Sequence, residues 1–206
     1  MEEVAKCFYW FEQGGLVMYP LLFCSILVVT IAIERFLFYR AHCGKMKLLF
    51  QQVQISLENG QWSEVERECQ VEDNLLSRIL RMGLKQRNNL DHMKESFENL
   101  TVAETTGLRK NLSYLDTIVT VAPLLGLLGT VFGMIGSFQV LDIAGSSPSV
   151  ITGSVGEALI ATATGLCVAV LALIVHSYFT HWLDDVITKI EQVCIAIIEK
   201  AKGDLV

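Results

Sequence analysis

The sequence predicts an all-α, polytopic membrane protein with three transmembrane helices, two of them extended into a cytoplasmic helical bundle. Three observations lead there. The charged residues fall outside three apolar blocks, each long enough to cross a hydrocarbon core of ~30 Å, which takes ~20 helical residues. Composition agrees, with 52% hydrophobic and 18% charged residues in a chain of 206. Lys and Arg are also spread unevenly: one in residues 1–15, eleven in 40–112, none in 142–154 and three in 181–206. Positive charge collects on the cytoplasmic side of membranes. Residues 40–112 and 181–206 are therefore expected inside, with the N-terminus and the 142–154 loop outside.

Taken in order, residues 1–15 open with an acidic stretch and the aromatic cluster Phe8, Tyr9, Trp10 and Phe11. An aromatic run beside a membrane span suggests a short interfacial helix in contact with lipid. Glu2 and Glu3 stand where a signal peptide carries basic residues, so the segment is not read as one. Gly14-Gly15 breaks it. The first transmembrane helix is assigned to 16–39, apolar from Leu16 to Ile33 and continued by Glu34-Arg35 and Phe36–Tyr39. Pro20 lies in its first turns, where a missing N–H matters least.

The region 40–112 reads as helical throughout. Lys47–Leu57 ends at the turn pair Asn59-Gly60. Ser63 is a candidate cap for a short helix through Cys69. Asp73 or Asn74 is placed to cap Leu75–Gln86, whose Leu75, Leu76, Ile79 and Leu80 share a face. Asp91 is a candidate cap for the next helix, and nothing from there to Thr120 stops it. That helix is expected to run unbroken into the second transmembrane helix, 113–141. The loop 142–154 (DIAGSSPSVITGS) is small and polar, too short for a folded outer domain. The third transmembrane helix is assigned to 155–180. In 181–206, Trp182, Leu183, Val186, Ile187, Ile190, Val193, Cys194, Ile197 and Ile198 recur at three and four. This is an amphipathic continuation that pairs with the other cytoplasmic helices; a helix lying flat on the bilayer is the alternative.

The second and third spans are odd for simple anchors. The second carries Gly126, Gly129, Gly133 and Gly136 on one arc, with Thr130 and Ser137 along its edge and Asp116 and Thr120 further round. The third carries a stripe of Ala161, Gly165 and Ala169, flanked by Glu157 and Thr164 on one edge and Thr162 on the other. Small residues let helix backbones approach, which in lipid replaces the hydrophobic force. A carboxylate within such a helix costs at least ~2.5 kcal/mol unless it faces protein or water. Glu157 is therefore expected to point into a bundle. Thr130, Thr162 and Thr164 either present hydroxyls to a polar path or bond carbonyls one turn back. Asp116 is a rim charge or a relay, and His176 and His181 either titrate near neutral pH or pack at the span end.

Other classes fit less well. The net charge of −6 provides no basic surface for nucleic acid. Six cysteines sit singly at 7, 24, 43, 69, 167 and 194, with no CxxC pair, and read as buried or incidental thiols. No nucleophile–base pair, phosphate loop or metal-spaced cluster points to an enzyme, a cofactor or a metal. Three spans without an inverted repeat do not resemble a solute transporter. A non-conducting scaffold stays open, although it has no need of Glu157.

The run Ala122-Pro123-Leu124-Leu125-Gly126-Leu127-Leu128-Gly129-Thr130-Val131-Phe132-Gly133-Met134-Ile135 and the run Gly156-Glu157-Ala158-Leu159-Ile160-Ala161-Thr162-Ala163-Thr164-Gly165-Leu166 resemble the MotA/TolQ/ExbB proton-channel family. The ExbB/TolQ branch is the closer fit, because three spans match it. Gly14-Gly15, Met18-Tyr19-Pro20-Leu21, Ile33-Glu34-Arg35 and Asn59-Gly60-Gln61-Trp62 extend the likeness over nearly the whole chain. The resemblance implies a bacterial inner-membrane protein, its N-terminus periplasmic and its C-terminus cytoplasmic, that assembles as a pentamer. The second and third spans then line a pore holding the single-span helices of an ExbD/TolR-type partner, whose aspartate takes up and releases protons. Proton flow would energise a TonB- or TolA-type periplasmic protein. The resemblance matches Thr130 and Thr162 to pore threonines and Glu157 to the third-span glutamate, which either relays protons or only sets the field in the pore. His176 departs from the family pattern before the Ser177-Tyr178-Phe179 end and leaves the cytoplasmic exit open. The nutrient-uptake role of ExbB and the envelope role of TolQ are not separated by these motifs, nor are protons from sodium ions.

Overall fold

A computed structural model describes residues 14–43, 46–71, 74–87, 89–144 and 148–204. The described residues are all-α, with helices α1 (Met18–Cys43), α2 (Met46–Glu58), α3 (Trp62–Val71), α4 (Leu75–Leu84), α5 (Leu90–Arg109), α6 (Leu112–Ala144) and α7 (Pro148–Asp204). By length and composition, three of them can cross a membrane, within Met18–Ala41, Leu112–Phe138 and Gly153–Gly203. The protein is thus a multi-pass membrane protein. The aromatic run Phe8–Phe11, Cys7, the capping candidate Asp73 and the middle of the 142–154 loop lie outside the described residues.

The chain forms two compact units. The first contains the chain up to Ile33 and Leu112–Tyr178. Around the α6–α7 contact its interior is built mostly from small side chains, Ala122 from α6 and Ala158, Ala161, Ala169 and Ala172 from α7, while Met18, Leu21, Leu115 and Ile118 are the larger buried residues. Other large apolar side chains face outward, among them Phe23, Ile26 and Val29 on α1, Val131 and Met134 on α6, and Leu166 and Val170 on α7. This is the inside-out pattern of a bundle whose solvent is lipid. Where a loop was expected over 142–154, α6 continues to Ala144 and α7 begins at Pro148. Proline is well suited to a first helical position because no partner is lost with its N–H.

The second unit contains Glu34–Asn111 and Phe179–Val206. Helix α2 ends in a Schellman motif: Gly60 adopts φ +70, its N–H donates to Leu57 O at 3.1 Å, and Gln61 N–H donates to Ser56 O at 2.9 Å. Two expected caps are corrected. Helix α3 starts at Trp62, so Ser63 lies inside it, and Gln61 supplies the first carbonyl, accepting from Glu64 and Val65 N–H. Helix α5 is capped by Asn89 rather than Asp91; the Asn89 side chain accepts from Asp91 and His92 N–H, and Asp91 occupies the first turn, where a negative charge suits the helix dipole. For α4 the cap is Asn74, and Ser77 returns the bond: Ser77 N–H donates to Asn74 Oδ1 and Asn74 N–H to Ser77 Oγ, each at 2.9 Å. The face Leu75, Leu76, Ile79, Leu80 is buried, as are Leu183, Val186, Ile190, Val193, Cys194 and Ile197 on α7. Gly83 lets α4 lie against the Phe97 ring of α5, which would overlap any side chain there.

The unbroken helix expected from Asp91 into the membrane is also corrected: α5 stops at Arg109 and α6 starts at Leu112. Side chains of α1 explain the stop. The Leu108 carbonyl accepts from Arg35 Nη1 at 3.1 Å and Tyr39 Oη at 3.0 Å, and Asn111 Nδ2 donates to Glu34 Oε2 at 2.9 Å. With that carbonyl satisfied from outside, the helical ladder is free to end. Arg35 is buried, paired with both Glu34 oxygens at 2.7 Å and lying over the Phe38 ring at 4.8 Å.

Two expectations follow. Replacing Asn74 by Ala should cost about 1 kcal/mol, and Asn74→Ser much less, as read by thermal unfolding in detergent. Burial, followed by the Glu68 charge, pushes the Cys69 thiol up to about 12 from an ordinary 9.0. A raised thiol stays protonated in the fold, so its contribution to stability is complete below pH 9.0 and is lost as the pH rises toward about 12. Peptide mass mapping after alkylation at pH ~8 should find Cys69 unmodified until the protein is denatured.

Candidate functional site

The site is built on the α6–α7 contact. Glycines in α6 remove the Cβ atoms that would otherwise hold the two backbones apart. A Cβ on Gly126 would stand 3.1 Å from Thr162 Cα, one on Gly129 2.5 Å from Ala161 Cβ, and one on Gly133 2.8 Å from Ala158 Cβ. From the other side, a Cβ on Gly165 would come within 2.6 Å of the Ala122 carbonyl oxygen and 3.0 Å of Gly126 Cα. The two helices therefore meet backbone to backbone around Gly126 and Gly165. The fourth glycine of the arc behaves differently: Gly136 has nothing within 4 Å of its missing side chain and is not a packing contact within the chain.

This closeness decides what the hydroxyls do. Thr162 Oγ1 donates across the interface to Gly126 O at 3.0 Å, a bond available because Gly126 lacks a side chain. Thr130 and Thr164 bond within their own helices, to Leu127 O at 2.7 Å and Ile160 O at 2.8 Å, as does Ser137 to Gly133 O at 3.0 Å. Each hydroxyl keeps acceptor capacity beyond the bond it donates. Asp116 is exposed on α6, and its carbonyl accepts from Thr120. His176 is half-buried and His181 exposed. Cys167 is exposed and Cys24 half-buried, so the thiols are not uniformly buried; Cys69 and Cys194 are.

Glu157 sits one turn before Ala161, on the edge of α7 opposite Thr162. Its carboxylate adjoins Gly15, just before α1, and lines a cavity of about 360 Å³ with Gly14, Leu16, Val17, Phe132 and Ser154. The three side chains matched to pore positions therefore have different neighbours within one chain: Thr162 faces α6, Glu157 faces the turn before α1, and Thr130 bonds its own helix. The double glycine at 14–15 reads from sequence as a break before the first span and as part of the family likeness, with nothing that points to Glu157. Its contact with Glu157 is missed because no local pattern links residues so far apart. Among the described residues, no three His, Cys, Asp or Glu side chains gather as a metal-ligand set.

Residues 70–192 match the MotA/TolQ/ExbB proton channel family. A protein of Methanothermobacter thermautotrophicus named as a biopolymer transport protein ExbB homolog is 31% identical over 184 residues, covering 88% of this chain and 65% of that protein. A Synechocystis protein named as ExbB-like 1 is 35% identical over 176 residues, covering 80% of this chain and 67% of its own length. The biopolymer transport protein exbB1 of Vibrio cholerae is 30% identical over 186 residues, covering 87% and 82%. The chain thus spans about two thirds of the length of the first two relatives.

The packing predicts a sharp contrast between glycines. Gly165→Ala should destabilise by about 1–3 kcal/mol, because the methyl meets backbone that cannot yield. Gly136→Ala should be neutral or stabilising by up to ~1 kcal/mol, since alanine favours the helix and the space is open. Thermal melts of both variants in one detergent check the pair.

Proposed function

The chain belongs to the MotA/TolQ/ExbB proton channel family, and on that premise we propose that it is the ring-forming subunit of a proton-driven motor in a bacterial inner membrane. Several copies, five by family likeness, surround the single-span helices of an ExbD/TolR-type partner. Proton passage through this ring energises a TonB-type periplasmic protein for transport across the outer membrane. The names of the relatives favour this ExbB-type role over a TolQ-type one. The Lys and Arg distribution supports an N-terminus and 142–154 segment in the periplasm, with 40–112 and the C-terminus in the cytoplasm.

One observation carries the reading: a carboxylate, Glu157, stands in an apolar span beside a cavity and next to a backbone-tight helix pair. A scaffold gains nothing from such a group. In a ring, repeated Glu157 carboxylates give the inner wall negative charge that steadies a hydrated proton or draws one toward the partner's aspartate. Thr162 fixes the rotation of α7 on α6 through Gly126 and so sets where Glu157 points. Thr130 and Thr164 supply spare acceptor lone pairs along the wall. The proton cycle resides on the partner carboxyl; this chain supplies a rigid, polar-lined stator around it.

Co-reconstitution with the single-span partner in vesicles carrying a pH-sensitive dye tests this. Glu157→Gln should lower proton flux about tenfold or more and Thr162→Ala several-fold, with assembly unchanged by size-exclusion chromatography. Normal flux in both variants removes the site assignment. A wild-type complex with no flux above protein-free vesicles leaves only the scaffold.

A further inference from the structure

Gly15 is one of two described residues with a left-handed backbone, at φ +69. Its carbonyl accepts from Met18 N–H at 3.1 Å, which ties the turn to the first turn of α1. Val17, two residues further on, is buried and lies against Gly129 of α6. The chain that follows Gly15 is thus anchored to α1 and α6. A Cβ on Gly15 would overlap Glu157 Oε1 and lie 3.2 Å from Glu157 Cδ. Neighbouring Gly14 is different, since the three atoms nearest a Cβ there all belong to the flexible Met18 side chain, the first at 2.5 Å.

We propose that Gly15 is a positioning residue for Glu157: its bare, left-handed backbone leaves the volume the carboxylate occupies and holds that carboxylate at the wall of the 360 Å³ cavity. The inference rests on the reading of Glu157 as a group that serves proton passage. It adds that the start of the chain, and not only the α6–α7 pair, determines where the charge sits. The cavity is large enough for several waters, so it can hydrate a carboxylate at its wall. Freed from the turn, the three-bond side chain of Glu157 has other rotamers to fill.

The chain contains its own controls. Gly60 has φ +70 with nothing within 4 Å, so Gly60→Ala adds left-handed strain without displacing a carboxylate. Gly14→Ala disturbs the same turn without touching Glu157. Glu157→Asp withdraws the carboxylate by one methylene and makes room for a methyl at position 15.

Two readouts are measured on the full complex: the rate at which a carbodiimide labels Glu157, by peptide mass spectrometry, and vesicle proton flux. Gly15→Ala should change the labelling rate several-fold and lower flux about tenfold, with Gly14→Ala and Gly60→Ala near wild type. Adding Glu157→Asp to Gly15→Ala should raise flux above that of Gly15→Ala alone. Should Gly15→Ala fail to assemble, recovery of assembly in the Gly15→Ala/Glu157→Asp pair supports the inference and continued failure overturns it. Unchanged labelling in Gly15→Ala, or an equal change in Gly60→Ala, also overturns it. If Glu157→Gln conducts normally, the proton-passage reading fails, while the labelling rates still decide whether Gly15 positions the carboxylate.

Discussion

Helices in lipid gain little from burying apolar surface against each other, because the acyl chains offer the same surroundings. What remains is contact and hydrogen bonding, and α6 and α7 use both at one place. Gly126 and Gly165 bring main chain against main chain, Ala158 and Ala161 fill the space left by Gly133 and Gly129, and the Thr162 hydroxyl crosses to the Gly126 carbonyl. Once this face of α7 is committed to α6, the helical repeat fixes the rest of its circumference. Glu157 and Thr164 fall to the edge away from Thr162, and Leu166 and Val170 turn outward. Rotation of α7 by one residue, ~100°, would exchange these roles. The polar groups point where they do because the glycines left only one close-packed register.

The second unit is held together differently. Helices α4 and α5 are capped by Asn74 and Asn89, α2 is closed at Gly60, and they pack through an apolar face that includes Val65, Ile79, Leu80, Met93 and Phe97. Its costliest group is Arg35, a buried guanidinium that is steadied by Glu34, by the Leu108 carbonyl and by an aromatic face. The same carbonyl accepts from Tyr39, whose ring meets Phe179 and Trp182 edge-on at 5.6 and 5.4 Å. One carbonyl at the end of α5 thereby gathers α1 side chains and the later turns of α7 around it.

In the proposed motor the two kinds of packing have different tasks. A wall that must carry charge past lipid has to be rigid where Glu157 stands, and glycine-mediated contact supplies rigidity without bulky side chains. Thr130, Glu157 and Thr162 have separate neighbours in a single chain. The proposed motor therefore needs several copies and a partner helix to bring them onto one path. The outward Leu, Val, Phe and Met side chains of α6 and α7 are the surfaces left for lipid and for those neighbours.

Much of this was legible in the residue order. Long uncharged runs announced the spans, three- and four-residue spacing announced the buried faces of α4 and the end of α7, and Asn59-Gly60 announced a turn. These features depend on a few neighbouring residues, so the chain declares them locally. The glycine arc announced a close helix partner, and Gly126, Gly129 and Gly133 have one, whereas Gly136 lines the cavity beside Glu157 and touches no neighbour through its missing side chain. The stop at Arg109 and the contact of Gly15 with Glu157 were not legible. Each arises when a side chain or a bare backbone from α1, or the turn before it, meets a residue at least 69 positions away. Sequence alone determined that α6 and the first half of α7 would be apolar and small-faced, with Glu157 standing within an apolar run. Tertiary structure decided which hydroxyl crosses between helices and what the carboxylate rests against, since hydrogen-bond geometry and steric room exist only once distant segments share a place.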